Sequence, residues 1–436
     1  MCAMVLGCLS NNINDTIVVD SYTQSSPIEH TDSQDFKLLL ELQRRGRISE
    51  LVRTGGRCTF RAEQFCGTIR LSSKTIIIRP RIESGLPLVR MMFYMLNDVY
   101  GGGLSQPKLD ILPELQLQES AELLDLIASL LVERIEVIRH EGLNRSYLNL
   151  ESEEQVLRGR ILVQQQIRHN CQRLEFHCSY DELSEDNLYN QILLWALNRL
   201  VPVVSNNTLR KQLLEYLPIF GEVSFRQIVS SDFDNLEFNR LNQNYEPAVN
   251  LCRLLNANLS VENLPGVAKA SAFLIDVNVL FETFVATRLR EALLPYSLSV
   301  DFQHSRELLL PIQHSYEVPM RPDILIRSTR GSKLALAVLD TKFKRPVERD
   351  QAGKLHFNNP DFYQILSYAA TLKCRGVLVY PGPSTLLHGE ILKWQSRGET
   401  KTPIEIFLLD LSTGRLELCS DLIAYLVREF ARKLSQ

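Results

Sequence analysis

The sequence predicts an α/β carboxy-terminal half, a mixed sheet flanked by helices, behind an α+β amino-terminal half of β-rich segments and helices. Three observations predict it. From residue 271 onward, strand patterns are bracketed by helical ones, as in a sheet covered by helices. Before residue 86, short runs of β-branched residues are separated by turn residues. Between 86 and 264 the hydrophobic period switches repeatedly between helical and strand spacing. A chain of 436 residues suits two or three domains. Hydrophobic residues at 45% and charged residues at 23% give a globular composition and exclude collagen-like, mucin-like or wholly disordered chains. A formal net charge of -3 excludes a uniformly basic, histone-like protein but allows a local basic patch.

Taken in order, residues 1–35 hold five acidic residues and no Lys or Arg, and are rich in Ser, Asn and Thr. They read as an acidic, flexible, solvated tail with at most one strand at 16–20. Residues 36–85 form a β-rich module. A helical pattern at 36–45 precedes strand patterns at 59–65, 68–71 and 74–81, the last built on Thr75-Ile76-Ile77-Ile78. Residues 86–264 are a mixed helical and β region. Helical patterns lie at 88–100, stopped by Gly101-Gly102-Gly103, and at 115–140, then at 186–200, 209–216 and 247–257. Strand patterns lie at 145–150, 159–166 and 173–180. Pro265-Gly266 marks a boundary, and 265–436 forms the last domain. There the spacing predicts a long helix at 271–293 and strands at 298–302, 307–311, 323–327 and 334–342. A helix at 362–372, strands at 376–380 and 403–409, and a closing helix at 421–434 follow. There is no internal repeat.

The stretch that carries chemistry is Arg321-Pro322-Asp323-Ile324-Leu325-Ile326 followed by Leu336-Ala337-Val338-Leu339-Asp340-Thr341-Lys342. Side chains alternate along a strand, so Asp340 and Lys342 share a face and Thr341 points the other way. The apolar run before Asp340 makes this a buried strand, and buried charge is costly without partners. Pairing the two strands as a hairpin brings Asp323 beside Asp340. Two such carboxylates suit a hard divalent cation, one or two Mg²⁺ ions, which lowers the pKa of a bound water and polarises a phosphate oxygen. Lys342 would orient or help deprotonate that water and offset charge on the phosphate. The reaction class is phosphodiester hydrolysis. A lone Asp-x-Lys is also found as a plain ion pair at a strand end; the Pro-Asp run upstream favours the site.

Two further elements bear on it. Glu282 adjoins the apolar stripe of its helix and reaches toward the sheet edge as a third metal or water ligand. Asp361 lies near the N-cap of the next helix, on which Gln364 and Tyr368 share a face and contact a phosphate backbone. Residues 321–345 contain seven basic and two acidic residues, +5 locally. Arg321, Lys344 and Arg345 are the DNA contacts this strip offers.

These motifs resemble the PD-(D/E)xK nuclease fold and, more specifically, the McrC family, the nuclease subunits of McrBC modification-dependent restriction systems. Supporting stretches are Leu280-Phe281-Glu282-Thr283-Phe284-Val285, Met320-Arg321-Pro322-Asp323-Ile324, Leu339-Asp340-Thr341-Lys342-Phe343 and Tyr363-Gln364-Ile365-Leu366-Ser367-Tyr368. Arg158-Gly159-Arg160-Ile161, Gln166-Ile167-Arg168 and Leu183-Ser184-Glu185-Asp186-Asn187 add to them, and the likeness covers roughly residues 86–436. It implies a Mg²⁺-dependent endonuclease acting on double-stranded modified DNA. It also implies a partner, a McrB-like AAA+ GTPase hexamer whose hydrolysis the amino-terminal half of the chain stimulates. The absence of a G-x-x-x-x-G-K-[ST] phosphate loop fits that division of labour.

Two other readings stand beside this one: a stand-alone PD-(D/E)xK repair nuclease, and a non-catalytic activator of an AAA+ ring. The long upstream region weighs against the first and the intact Asp323, Asp340 and Lys342 against the second. His169, Cys171, His177 and Cys178 lack a zinc-finger spacing and read as alternating strand residues. Nine cysteines, an odd number, read as free thiols of a cytoplasmic protein. Val5-Leu6-Gly7-Cys8 lacks the basic and apolar stretches of a lipoprotein signal. No run approaches about 18 apolar residues, so no membrane-spanning helix is expected.

Overall fold

The computed structural model of the chain describes residues 16–29, 31–80, 82, 88–100, 123–168, 175–261, 270–302, 306–309, 318–329, 335–349, 355–382, 392–397, 401–409 and 420–431. They fall into two units, one made of residues 1–126 with 258–436 and the other of 127–257.

The first unit begins with strand β1 (Thr16–Asp20) and helix α1 (Ser33–Arg44). Asp32 caps α1: its Oδ1 accepts from the backbone N–H groups of Gln34 and Asp35 at 2.8 and 2.7 Å. Strands β2 (Ile48–Thr54), β3 (Arg57–Ala62), β4 (Phe65–Arg70) and β5 (Thr75–Arg79) follow, then helix α2 (Leu88–Tyr100) and the start of helix α3 (Leu123–Glu141), most of which belongs to the second unit. The expectation of a solvated tail is corrected for the described part of 16–35. Strand β1 pairs in parallel with β5, and Val19, Ser21, Ser25, Ile28 and Thr31 are buried. The acidic residues are anchors: buried Asp35 accepts from the Ser72 backbone N–H at 2.8 Å, tying α1 to the β4–β5 turn. Residues 1–15 lie outside the described residues.

The second unit contains β6 (Ser146–Glu154), β7 (Arg160–Ile161), α4 (Val163–Arg168) and β8 (Phe176–Ser184). Helices α5 (Leu188–Leu200), α6 (Asn207–Tyr216), α7 (Ser230–Asp234) and α8 (Glu246–Asn258) complete it. Where one strand was expected over 159–166, two strand residues lead into a short helix, because Leu162 carbonyl accepts from Gln165 and Gln166 and starts a turn. The Leu183–Asn187 stretch leads into and caps one helix. Asn187 opens α5, its Oδ1 accepting from Asn190 N–H at 3.2 Å. Buried Asn190 donates to the carbonyls of Asn144 and Glu185 at 2.9 and 2.7 Å and accepts from Tyr245 Oη at 2.8 Å. Of the residues weighed for zinc, His177 pairs with Glu153 at 3.4 Å, Cys178 is buried, and His169 and Cys171 lie outside the described residues.

The chain re-enters the first unit through β9 (Leu259–Val261) and β10 (Ser271–Asp276), and α9 (Val277–Leu293) follows directly. This corrects the single helix expected over 271–293. Ser-Ala-Phe-Leu-Ile is buried throughout, and a short continuous apolar run carries no period that separates strand from helix. Asp276 ends the strand and starts the helix, its Oδ1 accepting from Asn278 and Val279 N–H at 3.0 and 3.2 Å. Strand β10 is antiparallel to both β4 and β9, giving a five-stranded sheet in the order β1-β5-β4-β10-β9. The boundary expected near Pro265 therefore does not part the chain, since β10 beyond it completes a sheet begun before it. At Gly67 of β4 the backbone is at φ +144°, and a Cβ there would stand 2.0 Å from the Phe273 carbonyl oxygen.

The rest of the first unit is built on β11 (Leu298–Phe302), β14 (Ile324–Ser328), β15 (Ala335–Thr341), β18 (Arg375–Pro381), β19 (Leu392–Gln395) and β20 (Pro403–Leu409). These pair in the order β11-β14-β15-β18-β20-β19, antiparallel at both ends and parallel through β15-β18-β20. Short hairpins β12 (Arg306–Leu309) with β13 (Val318–Met320), and β16 (Val347–Arg349) with β17 (Leu355–Phe357), lie between them. Helix α10 (Asn359–Leu372) covers one face, with Ile365, Tyr368 and Ala369 packed among Leu325, Val338, Leu378, Ile404 and Ile406. Helix α11 (Ser420–Leu426), continued by a π-helical turn over Val427–Ala431, closes the described chain. Both expected classes hold: an α/β mixed sheet with helices behind, and an α+β region ahead. Among the described residues, no helix is long and apolar enough to cross a membrane, and Cys58, Cys66, Cys178, Cys252 and Cys374 are buried free thiols.

Candidate active site at the end of β15

Strands β14 and β15 form the expected hairpin, with Ile324 opposite Leu339 and Leu325 opposite Val338. One step further puts Asp323, just before β14, next to the end of β15. Its Oδ2 accepts from the Thr341 backbone N–H at 2.7 Å and from Thr341 Oγ1 at 2.9 Å. Asp340 follows Leu339 and is fully buried, 0% exposed. Lys342 Nζ stands 2.7 Å from Asp340 Oδ2, while Asp340 Oδ1 meets no hydrogen-bond donor among the described residues.

A buried carboxylate oxygen without a donor is costly. Burial, and then the Asp323 charge, push the Asp340 carboxyl up to about 7 despite the opposing pull of Lys342. Burial also raises Asp323, against the donors of Thr341 and the Lys342 charge. For Lys342, burial disfavours the charged form, but Asp340, Asp323 and Asp361 outweigh it and its pKa is raised. The ammonium is therefore held charged between carboxylates that repel one another. Such a place suits a hard cation. Asp323 and Asp340 offer oxygen donors, Oδ1 of Asp340 is unclaimed, and Mg²⁺ takes one or two carboxylates and keeps its waters.

The other expected residues divide. Glu282 is half-buried on α9, which reaches the sheet by setting Phe281 against Phe343, ring centroids 5.3 Å apart. Among the described residues no three His, Cys, Asp or Glu side chains form a metal-holding group, so Glu282 is not gathered with Asp323 and Asp340. Arg321 and Arg345 are exposed. Lys344 is engaged, its Nζ 2.9 Å from the Asp361 carboxylate. Tyr368 belongs to the core under α10, and its Oη accepts from Gln364 Nε2 at 3.2 Å. In the basic strip Arg327 pairs with Asp301 at 2.7 Å, and Arg330 and Lys333 lie outside the described residues.

Sequence reasoning missed two participants. Asp361 was expected near the N-cap of its helix. The N-cap is Asn358, Pro360 stands in the first turn, and Asp361 is the third helical residue, turned inward. Its Oδ2 accepts from Tyr380 Oη, a buried hydroxyl of β18, at 2.7 Å. An Asn followed by Pro two residues later is the start signal that would have moved Asp361 inside. Tyr380 carried no signal, since its partner is set by the parallel pairing of β15 with β18.

Three likenesses accompany this geometry. A family model described as McrBC 5-methylcytosine restriction system component matches residues 60–381. The type IV methyl-directed restriction enzyme EcoKMcrBC of Escherichia coli (strain K12) is 22% identical over 321 residues, 68% of this chain and 86% of that relative. In the refined half-complex from the tetradecameric assembly of Thermococcus gammatolerans McrB AAA+ hexamers with bound McrC, a chain shares this fold. Its TM-score is 0.61 at 17% identity, over 93% of this chain and 100% of that one.

Proposed function

The chain belongs to the family of McrBC 5-methylcytosine restriction system components, and on that premise we propose that it is the Mg²⁺-dependent endonuclease subunit of such a system. It cuts phosphodiester bonds of methylated double-stranded DNA in the cytoplasm, driven by a McrB-like AAA+ GTPase hexamer whose GTP hydrolysis it stimulates. The observation that carries this reading is the fully buried Asp340 with an unclaimed oxygen, Lys342 at 2.7 Å and Asp323 alongside. A structural ion pair explains Lys342, but leaves a second carboxylate and a donor-free oxygen unexplained.

Asp323 and Asp340 would hold the metal, which supplies a polarised water and positive charge against the phosphate. Thr341 fixes the Asp323 carboxylate through two hydrogen bonds, so that this ligand is aimed before any metal arrives. The Lys342 ammonium, positioned by Asp340, orients the attacking water and offsets charge growing on the phosphate oxygens. Arg321 and Arg345 hold the DNA backbone, Gln364 orients the phosphate from α10, and Glu282 assists from α9 through the water shell.

The test is cleavage of methylated plasmid by the full chain with a McrB-like partner, GTP and Mg²⁺. Asp323→Ala and Asp340→Ala should each abolish cutting while keeping the circular dichroism of the wild type. Wild-type cutting by either variant removes the site.

A further inference from the structure

We propose that Asp361 is a positioning residue for DNA binding, holding the Lys344 ammonium as a fixed phosphate contact beside the cleavage site. The inference rests on the nuclease reading above and adds a residue and a role to it.

A closed circuit of contacts carries it. The Lys342 backbone N–H donates to the Val379 carbonyl at 2.9 Å, continuing the β15–β18 pairing beyond Thr341. The Lys344 N–H donates to the Lys342 carbonyl at 2.9 Å, turning the chain tightly. The Lys344 ammonium reaches Asp361 at 2.9 Å, and Asp361 accepts from Tyr380, the residue after Val379, at 2.7 Å. Three elements are thus joined through one carboxylate: the end of β15, the first turn of α10 and β18.

Asp361 is only 4% exposed, whereas the Lys344 side chain keeps 35% of its surface open. The asymmetry matters. A buried carboxylate adds little net stability over an apolar residue of its size, so this arrangement calls for another use. Asp361 grips the ammonium on its inner side and leaves the outer side facing solvent, two residues from Lys342. A lysine otherwise loses rotamer entropy when it is immobilised on a ligand. Held in advance, Lys344 meets a phosphate with that cost already met by folding. Tyr380 completes the device by fixing the carboxylate that fixes the lysine.

The proposal makes a prediction opposite in sign to simple electrostatics. Removing a negative charge beside a DNA-binding surface should tighten binding; if Asp361 positions Lys344, removing it should loosen binding. The measurement is the affinity of the full chain for a short fluorescein-labelled methylated duplex by anisotropy, with Ca²⁺ replacing Mg²⁺ to hold off cleavage, across a series of salt concentrations. Lys344→Gln should weaken binding several-fold and reduce the salt slope by about one. Asp361→Asn should weaken it comparably with the same fall in slope, and the double variant should lose no more than either. Tyr380→Phe, which keeps both charges, should show a smaller loss of the same sign, and it decides the matter if Asp361→Asn does not fold. Binding by Asp361→Asn as tight as wild type or tighter, at an unchanged slope, overturns the proposal, as does wild-type binding by Tyr380→Phe. If the wild-type chain shows no salt-dependent binding, the nuclease reading falls and this inference with it. If the wild type binds and only the variants fail to respond, this inference falls alone.

Discussion

Asp340 is kept at a cost to the fold. Its carboxyl is pushed up to about 7, against about 3.9 for an unperturbed aspartate. A pKa raised by folding means that the protonated form is the stable one. The metal-free chain therefore holds this contribution in full below about pH 4 and loses it as pH rises through about 7. Asp340→Asn cannot ionise and should escape that loss. With a chelator present, its melting temperature should gain on the wild type between about pH 5 and pH 8, and saturating Mg²⁺ should reverse the order by binding the wild type alone. A constant gap across this range would mean that Asp340 does not titrate there. Lys342 acts at the same point with the other sign. Lys342→Ala should lower cleavage by roughly 10²-fold or more, as for loss of one preorganised transition-state donor, with duplex binding largely kept. A variant that cuts normally would make Lys342 a structural partner of Asp340.

At the scale of elements, α10 and β18 decide how Asp361 meets the site. Gly376 of β18 is what lets them close up: a Cβ there would lie 2.9 Å from Ile365 Cγ1 and 3.2 Å from Ala369 Cβ. Gly376→Val should cost about 1–3 kcal/mol by overpacking and reduce cleavage by shifting the first turn of α10. Unchanged chemical denaturation would show that the helix yields freely. The β14–β15 hairpin was legible in the sequence because its pattern is local: apolar runs of fixed parity ending in Asp323, Asp340 and Lys342. The strand identity of β10 was not, because a run buried on both faces has no alternation to read. Lys344 looked like a free cation because its partner Asp361 lies on another element, brought near only by parallel pairing. Asp32 and Asp35 looked solvated for the same reason, since Ser72, which both engage, is remote in sequence.

At the scale of the molecule, β10 changes how the two proposed activities should be separated. Cutting the chain at residue 265 would remove β10 and expose the edges of β4 and β9 that it pairs with. Such a fragment should be poorly folded by circular dichroism and fail to stimulate a McrB-like GTPase for that reason alone. A well-folded fragment would show the sheet to be stable without β10. Asp340→Ala in the full chain is the cleaner separation: steady-state GTP hydrolysis by the ring should stay near the wild-type rate while cleavage is lost.

The pairing of β4 with β10 also sets a timetable for the newborn chain. Strand β4 ends at Arg70 and β10 begins at Ser271, so the sheet waits for about 200 further residues, which at 5–20 residues per second is about 10–40 s of translation. In that interval β1, β5 and β4 can form only part of the sheet, with the β4 edge open, while residues 127–257, a unit on their own, are finished and free to fold. The last-made strand of this sheet is thus the one that seals it, and a ribosome stalled before β10 leaves a sticky edge for chaperones or proteases to find.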